Sequence, residues 1–417
     1  MHVDMIDRLV TPFGLVRAGI APDHQKTKMV TKAFERTAAN PRFRFFGNIE
    51  IGRTISIEKL RSHYDAVVFA HGSALGRRLG IAGDDLQCVL SANEFVGWYN
   101  GHPDFALSDI EIPDSVTIVG NGNVAGDVAR LLLKPVEQLA RTDITDRALK
   151  AIAASHRCVH VVGRKPIEDS RFSSPEFREL LEIPALDVSV ASGSGALLGE
   201  PSPDMPDNAK RNVEYLREAL KRPRANAGRQ LIFYFGASPV ESYGDRRIAG
   251  VKVAFKDGST LRVPCGLLVQ CIGNVGKAID GLPFDETAGI VRNDCGRVKD
   301  DSLTVVPGLY VAGWAKRGAV GTVGTNRLDS LETCKNLVED LAHLPARRED
   351  PDAMLRGLQL AGIRVFTYSD WLRINDVEIK AGNGIKPREK ILETGTMLDV
   401  LAMDEGARLG GTSSGSP

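Results

Sequence analysis

The chain lacks cysteines at the spacings that bind metals or form redox dithiols. Its six cysteines are scattered along the sequence, and no two of them form a C-x-x-C motif. This spacing excludes a dithiol redox centre of the usual kind and carries no iron–sulfur or zinc signature, so we expect no metal site. Scattered cysteines are compatible with a reducing compartment, and the cytoplasm is the expected location.

The chain also lacks long apolar runs and an excess of charge of either sign. No apolar stretch approaches the ~20 residues that a membrane-spanning helix needs. The 53 basic and 53 acidic residues cancel, so overall charge does not favour nucleic acid as a partner. A chain of 417 residues exceeds what one hydrophobic core usually supports, which predicts about two or three domains.

Short apolar segments of strand length alternate with stretches of helical composition. This alternation predicts an α/β fold with parallel, doubly wound sheets. Pro201–Asp207 and Arg347–Asp352 are expected to be surface loops or linkers, and Gly410–Pro417 a disordered tail. The segments predicted as strands or as β-rich are Phe43–Gly52, Tyr64–Ala70, Val116–Val119, Val159–Val162, Gln230–Phe235, Val251–Phe255, Leu267–Cys271 and Leu309–Ala312.

The most specific motif follows the predicted strand Val116–Val119. The sequence Gly120-Asn121-Gly122-Asn123-Val124-Ala125 leads directly into a predicted helix. Gly120 permits a tight turn, Gly122 lets the backbone approach a pyrophosphate, and Ala125 keeps the helix close to the strand. The positive end of the helix would face the phosphates. In this context the motif predicts a dinucleotide site, and a plain tight turn is the alternative.

The end of the following strand indicates which dinucleotide is bound. Val159–Val162 is followed by Gly163, Arg164 and Lys165. An NAD site usually has an acid at this position, whereas two cations suit the 2′-phosphate of NADP. A solvated pair of cations at a strand end is the alternative.

A second nucleotide site is predicted near the amino terminus, where only half of the motif is found. Val3–Asp7 is typical of a short strand that ends in an acid, and such an acid normally hydrogen-bonds an adenosine ribose. The complete unit also has a first strand and a glycine turn, and only Met1 and His2 precede Val3. We therefore expect Met1 to be an internal methionine of a longer gene, with about 30 residues of strand, turn and helix encoded upstream.

A third glycine-rich region follows the predicted strand Leu309–Ala312. Gly313–Gly318 contains Trp314, and Gly321–Asn326 follows before a helix predicted to start near Asp329. This glycine density would let backbone amides approach a ring or a phosphate, and Trp314 could stack on a flat cofactor. Core packing of Trp314 is the favoured alternative when the residue is taken alone.

His24 and Glu176 are two further candidates for the site, but their spacing in the sequence does not by itself identify them as functional. His24 follows Ala21-Pro22-Asp23 and could be an exposed loop histidine without a role. Glu176 lies at the start of a predicted helix, where an acid stabilises the helix N-terminus without taking part in any chemistry.

Together these segments resemble the ferredoxin–NADP⁺ reductases of the adrenodoxin-reductase type, flavoproteins with the glutathione-reductase-like fold. The resemblance implies two Rossmann-like dinucleotide-binding domains, with an NADP domain at residues 76–279 inserted in an FAD domain at residues 1–75 and 280–417. The matching segments, which span nearly all of the chain, are Val3–His24, Arg42–Gly52, Val119–Arg130, Val162–Lys165, Phe172–Leu180, Gly281–Asp285 and Gly313–Asn326.

The resemblance also implies the site residues. His24 and Glu176 would be catalytic: Glu176 neutralises positive charge on the nicotinamide, and His24 supports electron transfer. The residues implied at FAD are Asp7 at the adenosine ribose, Leu15 and Ile51 through their backbone, and Trp314, Gly321, Thr322 and Val323 around the flavin ring. Those implied at NADP are Asn121, Gly122, Asn123 and Val124 at the pyrophosphate, Arg164 and Lys165 at the 2′-phosphate, and Glu176 and Gly321 at the nicotinamide.

Several departures from the family pattern bear on these expectations. The family's first strand and its glycine turn are not found, so the chain as printed is expected to bind NADP but to hold FAD poorly. Asp7 stands where glutamate is usual, Val10 where proline is usual, and Lys165 where a second arginine is usual. Lysine keeps the charge of that arginine but loses its planar fork. Arg347–Lys390 adds a carboxyl-terminal segment that some family members also carry.

The implied function is electron transfer from NADPH through FAD to a ferredoxin-type iron–sulfur protein, by a chain expected to be monomeric. A catalytically silent NADP-binding fragment or partner subunit is one alternative, which flavin content would test. The reductase subunit of a glutamate-synthase-like complex is another, although the cysteine spacing offers no cluster domain. An acidic ferredoxin would fit a basic face on this chain. A solvated helix surface, with acids between the basic residues, is an equally good interpretation of the same residues. They are Lys210, Arg211, Arg217, Lys221, Arg222, Arg224 and Arg229.

Overall fold

The computed structural model describes residues 1–153, 157–191, 204–225, 228–321, 323–344 and 349–410. Four predicted features lie wholly or partly outside these ranges. They are Thr322 at the flavin ring, residues 201–203 of the first predicted loop, residues 347–348 of the charged segment, and residues 411–417 of the predicted tail.

The first part of the chain alternates short strands with short helices, as its composition predicts. A helix begins at Ile57 because the side chain of Ser56 accepts a hydrogen bond from the backbone of Lys59 and caps it. The elements are β1 (Val3–Ile6), α1 (Gly14–Ala18), α2 (Gln25–Lys28), α3 (Thr31–Ala38), β2 (Phe43–Gly47), α4 (Ile57–His63), β3 (Val67–Phe69) and β4 (Leu75–Gly76).

The middle of the chain contains the largest sheet. A 3₁₀ helix at Ile167–Asp169 follows the strand that ends at Gly163. The other elements are β5 (Val89–Ser91), α5 (Ala92–Asn100), β6 (Ser115–Val119), α6 (Asn123–Leu133), α7 (Val136–Leu139), α8 (Asp146–Ile152), β7 (Arg157–Gly163), α9 (Ser174–Leu181), β8 (Asp187–Val190), α10 (Asp207–Lys221), β9 (Arg229–Phe235), β10 (Ala237–Gly244), β11 (Ile248–Phe255), β12 (Thr260–Pro264), β13 (Leu267–Gln270) and β14 (Asn274–Val275).

Six of these strands form a parallel sheet in the order β5-β13-β6-β7-β9-β8. Side chains on one face of the sheet, such as Ile118 and Val161, pack in a core with residues of α5, α6, α9 and α10. Neighbouring residues such as Val119 and Val162 point to the other face, because side chains alternate along a strand. The parallel sheet predicted from the alternation of strands and helices is therefore confirmed.

The second face of this sheet shows where the prediction of a doubly wound sheet was wrong. It is covered by β10-β11-β12, an antiparallel sheet, and Val251, Val253 and Val263 pack there against the parallel strands. The segment Val251–Phe255 is therefore an antiparallel strand. Its alternation of buried and half-buried residues is the pattern of a strand with one face on a core, and the turn at Gly258 reverses the chain.

The last part of the chain contributes small strands and the longest helix. A second 3₁₀ helix covers Leu341–His343. The elements are β15 (Phe284–Asp285), β16 (Ile290–Val291), β17 (Asn293–Asp294), β18 (Arg297–Lys299), β19 (Val305–Val311), α11 (Trp314–Arg317), α12 (Val323–Asp340), α13 (Pro351–Leu360), β20 (Phe366–Thr367), α14 (Tyr368–Ala381) and α15 (Thr394–Gly410).

Two expectations about this part need correction. The helix predicted near Asp329 begins at Val323, so four of the six residues of the stretch Gly321–Asn326 are helical. Residues 349–352 of the charged segment Arg347–Asp352 are fixed to the rest of the protein and are not a linker without contacts. Glu349 pairs with Lys59 at 2.8 Å, and the side chain of Asp350 caps α13 by accepting from a backbone N–H.

The strands that flank the predicted FAD site belong to two separate sheets. One has the order β1-β2-β20, and the other the order β17-β18-β19-β3. Ile6 of β1 and Val67 of β3 pack against the same core beside Leu60. Within the described residues, β1 pairs only with β2, and β3 pairs only with β19. The strand predicted as buried at Tyr64–Ala70 is therefore a sheet edge, and Val68 is 41% exposed.

The carboxyl-terminal segment packs onto the segment that follows β1. Trp371 of α14 is buried, lies edge-on to Phe13, and is covered by the guanidinium of Arg17 at 5.0 Å. Arg17 also pairs with the fully buried Glu378 at 2.5 Å. These contacts hold Phe13 at a φ of +79°, a left-handed conformation that a bulky residue rarely adopts. The extension thus stabilises the start of α1.

All six cysteines are free thiols. Among the described residues, no helix is both long and apolar enough to cross a bilayer.

Candidate functional site

The glycine turn lies where β6 ends, at the carboxyl edge of the parallel sheet. Gly120 adopts a φ of +137° and donates a hydrogen bond to the carbonyl of Val162 on the neighbouring strand. A Cβ on Gly120 would lie 2.3 Å from the carbonyl oxygen of Cys271. No side chain fits at this position, so the fold itself requires a glycine here.

Gly122 is different, because the protein leaves room for a side chain there. A Cβ on Gly122 would meet only the Cβ of Arg171 and its carbonyl, the nearer at 3.5 Å, which is an ordinary contact. Gly122 is also the N-cap of α6 and has no side chain with which to cap that helix. The free space and the uncapped amides fit a phosphate group that approaches the backbone closely.

The two predicted cations lie beside this turn. Because β6 and β7 are adjacent and parallel, their carboxyl ends meet at one edge of the sheet. The side-chain amide of Asn121 donates to the carbonyl of Lys165 at 3.3 Å and joins the two ends. Arg164 and Lys165 are exposed, and neither forms an ion pair with any described residue. Their charges are available to a ligand.

Asn123 links the turn to the helix that carries Glu176. Its side-chain oxygen accepts a hydrogen bond from the backbone of Ser173 at 2.7 Å, just before α9. Glu176 lies in the first turn of α9, as the sequence predicts. Its Oε2 atom is buried and has no hydrogen-bond partner among the described residues. A buried carboxylate oxygen without a donor fits a site in which a ligand provides the missing hydrogen bond.

His24 reaches the same region from a distant part of the chain. Ala21, three residues earlier, is fully buried in the core of the parallel sheet and fixes the loop there. His24 Nε2 lies 3.5 Å from Glu179 Oε2, and His24 Nδ1 lies 3.9 Å from Asp127 Oδ1. His24 is therefore held between an acid of α9 and an acid of α6, and it is not a free loop histidine.

A buried arginine, Arg130, binds the residue that precedes His24. Arg130 is fully buried and pairs with Asp23 and Asp127, each at 2.8 Å. Lys134 also pairs with Asp23 at 2.8 Å. Burial alone would raise the pKa of Asp23, but hydrogen bonds and charge from Arg130 and Lys134 hold that pKa well below its usual value. A fixed ion-pair network therefore anchors the His24 loop to α6.

Asp127 is a buried carboxyl group beside His24 whose pKa is raised. Burial, the largest effect, raises the pKa of Asp127 to about 6, although the positive charge of Arg130 opposes the rise. The negative charge of Glu176 adds to the rise, which places Glu176 within electrostatic range of Asp127. His24, Asp127, Glu176 and Glu179 form one charged group, here called the acid–histidine cluster.

We expect Asp127→Asn to remove part of the pH dependence of stability. A carboxyl group with a raised pKa in the folded state stabilises the protein below its unfolded pKa, and this contribution is lost as pH rises through about 6. The free energy of unfolding of the variant, relative to that of the unaltered protein, should therefore be about 1 kcal/mol higher at pH 7 than at pH 5. Urea unfolding at both pH values measures this difference, and a constant difference would contradict it.

The residues expected at the adenosine end of FAD lie on the segments after β1 and β2. Asp7 follows β1, and its side chain accepts a hydrogen bond from the backbone of Leu9 at 2.9 Å. Burial raises the pKa of Asp7, although nearby backbone donors oppose the rise. Leu15 is 55% exposed on α1, and Ile51 is half-buried. A cleft of about 210 Å³ is lined by Arg8 and Glu50, which are the sequence neighbours of Asp7 and Ile51, and by Asn48, Arg53 and Thr54.

The residues expected at the flavin ring follow β19. Trp314 begins α11, and its indole Nε1 is buried without a hydrogen-bond partner in the described part of the chain. Gly321 has a φ of +87°, and a Cβ there would lie 2.8 Å from the hydroxyl of Thr325. Val323 is the first residue of α12. The unpartnered indole donor and the required glycine both fit a bound group at this place.

Several residues of the site were missed from the sequence. Asp127 and Arg130 are three residues apart on α6, and Glu179 follows Glu176 by the same spacing on α9, so each pair shares a helix face. That spacing was the available signal. Asp23, which precedes His24 directly, carried none, because its partner lies 107 residues away.

No family model matches the chain. Curated relatives do match over most of its length. The chain is 35% identical to the NADPH-ferredoxin reductase FprA of Mycobacterium tuberculosis strain H37Rv, over 96% of this chain and 92% of the relative. It is 37% identical to the human mitochondrial NADPH:adrenodoxin oxidoreductase, over 96% of this chain and 87% of the relative.

A solved structure agrees with these relatives. The structure of Mycobacterium tuberculosis FprA in complex with NADPH superposes with a TM-score of 0.88 at 34% identity. The superposition covers 96% of this chain and 92% of the other. The likeness therefore includes both the parallel sheet and the parts of the chain on either side of it.

Proposed function

Since the chain belongs to the NADPH–ferredoxin reductases of the adrenodoxin-reductase type, we propose that it transfers electrons from NADPH, through FAD, to a ferredoxin-type iron–sulfur protein. One observation carries the proposal. The glycine turn lies at one sheet edge with Arg164 and Lys165, which form no ion pair with a described residue, and the hydrogen bond from Asn121 to Lys165 joins them. This edge suits a phosphorylated dinucleotide, and α9 extends from it to the acid–histidine cluster.

In this proposal the turn orients NADPH. The amides at the start of α6 bind the pyrophosphate, and Arg164 and Lys165 bind the 2′-phosphate. Val124, which is 48% exposed in the first turn of α6, would contribute its backbone N–H to the same pyrophosphate. The nicotinamide then lies near Glu176, whose unpartnered Oε2 accepts a hydrogen bond and stabilises the positive charge of the oxidised ring. His24 is held beside this carboxylate by its contacts with Glu179 and Asp127.

Bound FAD would accept two electrons together and release them one at a time, which is the chemistry the protein itself lacks. The described residues fit the two ends of this cofactor. Asp7 and Ile51 would hold the adenosine end, and Trp314 and Gly321, with Thr322 and Val323 as their neighbours in sequence, the flavin ring. Gly321 would lie where the two nucleotides meet.

A coupled assay tests this function. The purified chain is mixed with excess FAD, NADPH and a ferredoxin, and the reduction of cytochrome c is followed. We expect reduction to require all three additions. NADP⁺ binding without any FAD-dependent oxidation of NADPH would instead support the silent NADP-binding alternative, and activity only within a larger complex would support the glutamate-synthase-like one.

We expect the ferredoxin to dock on a basic face that includes α10. The start of α10 lies against that of α9, because the backbone of Ser174 donates to Asn208 at 3.0 Å. Arg211 is therefore close to the helix that carries Glu176, and it is exposed on the first turns of α10 with Lys210 beside it. An acidic partner docked there would approach the proposed electron-transfer site.

The variant Lys210→Glu/Arg211→Glu should raise the KM for ferredoxin about tenfold at low salt, because charge reversal weakens electrostatic steering. The effect should shrink at 1 M salt, where the Debye length is about 3 Å. Lys256→Glu, on the exposed turn between β11 and β12, is the matched control. A coupled rate that is indifferent to ionic strength would argue against the basic face and leave α10 as an ordinary solvated helix.

The proposal extends to features that sequence alone suggested. We assign the FAD domain to residues 1–75 and 280–417 and the NADP domain to residues 76–279, which contain the whole six-stranded sheet. Six free thiols support a reducing cytoplasm as the location. A monomer is the expected state, and sedimentation measures it.

A further inference from the structure

Arg171 is attached to the glycine turn by its backbone. Its N–H donates a hydrogen bond to the carbonyl of Asn121 at 2.9 Å, and residues 122 and 171 form an isolated parallel β-bridge. Arg171 lies between the 3₁₀ helix and α9, far along the chain from the turn it contacts. The backbone of Arg171 thus forms one wall of the turn.

The side chain of Arg171 is directed by this attachment. Its Cβ lies 3.5 Å from the place where a Cβ of Gly122 would stand, which is the space left open in front of the turn. Arg171 is exposed, and its guanidinium pairs with no acid in the described ranges. By contrast, Arg178 of the following helix is paired with Glu182 at 2.8 Å. The side chain of Arg171 therefore starts beside the open space at Gly122, and it carries a permanently charged fork that no described acid compensates.

We propose that Arg171 is a third cation of the nucleotide site and that it binds the pyrophosphate, not the 2′-phosphate. The inference rests on the proposed function, because it assumes that the turn binds NADP. Gly122 is the position where the backbone approaches the pyrophosphate, and Arg171 stands against Gly122. Arg164 and Lys165 extend instead from the end of β7, where the 2′-phosphate is expected.

This division of roles has a measurable consequence. NADP⁺ and NAD⁺ share the pyrophosphate, so Arg171 raises affinity for both and leaves the preference between them unchanged. Adenosine 2′-monophosphate has the 2′-phosphate without the pyrophosphate, so it is insensitive to Arg171. The three ligands together separate a pyrophosphate contact from a 2′-phosphate contact and from a general loss of the fold.

The experiment measures the dissociation constants of these three ligands by calorimetry for the unaltered chain, Arg171→Ala, Arg171→Lys and the control Arg178→Ala. We expect Arg171→Ala to weaken the binding of NADP⁺ and of NAD⁺ by about ten- to a hundredfold, because the variant loses a charge-assisted hydrogen bond to the pyrophosphate. Adenosine 2′-monophosphate should bind unchanged. Arg171→Lys should recover part of the loss, and Arg178→Ala should behave as the unaltered chain.

Two results would overturn the inference: unchanged NADP⁺ binding by Arg171→Ala, or an equal loss for adenosine 2′-monophosphate. Thermal melting without ligand shows whether each variant folds, and a variant that does not fold is replaced by Arg171→Gln. Failure of the proposed function would look different, because the unaltered chain itself would then bind NADP⁺ no more tightly than NAD⁺.

Discussion

The unaltered chain should oxidise NADPH far faster than NADH at equal concentrations, and the variant Arg164→Glu/Lys165→Glu should lose this preference. Both side chains are exposed beside the glycine turn without a described acid partner, so their charges are free to bind a phosphate. Each charge-assisted contact to a phosphate contributes roughly 1.5–3 kcal/mol. Loss of two such contacts, with added repulsion from two acids, should lower kcat/KM for NADPH by about 10²- to 10⁴-fold.

The reaction with NADH is the internal control, because NADH has no 2′-phosphate and should change little. Lys165→Arg is the matched variant, since it keeps the charge and restores the planar fork that the family usually has there. It should bind NADPH at least as tightly as the unaltered chain. Equal turnover of NADPH and NADH by the unaltered chain would show that Arg164 and Lys165 are a solvated pair without this role.

The second large effect concerns FAD. Residues 1–417 alone should lose FAD during gel filtration, whereas a chain extended at its amino end by a strand, glycine turn and helix of a family member should retain it. β1 and β3 share a core beside Leu60 but have no described strand between them. The half-exposed side chains Val3, Met5 and Val68, at 43%, 38% and 41%, lie on these two strands. An added strand would pair with both edges, and its helix N-terminus would bind the FAD pyrophosphate.

Flavin absorbance of the protein peak, divided by protein absorbance, measures retention. We expect a ratio near zero for residues 1–417 and near one FAD per chain for the extended form. NADP⁺ affinity should be the same in both, because the glycine turn at Gly120–Ala125 is intact in both. Stoichiometric FAD that does not exchange from residues 1–417 would refute the prediction and would mean that other residues bind the pyrophosphate.

Some of the fold was predictable because its signals act over a few residues. The strand before Gly120 and the helix after it follow from local hydrophobicity and from backbone geometry. The antiparallel layer β10-β11-β12 was not predictable in the same way. Val251–Phe255 has the composition of any half-buried strand, and whether its partner runs parallel or antiparallel depends on how the chain returns to the sheet.

The same division holds for the site. Gly120, Gly122, Arg164 and Lys165 were identified from sequence because each acts through its spacing from a strand end, and the two strand ends meet wherever β6 and β7 are parallel neighbours. His24 and Glu176 carry no such signal. A role for them is predicted only by resemblance to a family, and their electrostatic partners are seen only in the tertiary structure.

The sequence by itself determined the strand–turn–helix unit and the charge at its edge, since the φ of a glycine and the alternation of a strand are local properties. Only the tertiary structure placed His24 between Asp127 and Glu179 and Arg171 against Gly122. Both contacts join residues far apart in the chain. The first arises because Ala21 packs into the core of the parallel sheet, and the second because the backbone of Arg171, before α9, donates a hydrogen bond to Asn121. Neither contact is signalled by a periodic pattern of residues in the sequence.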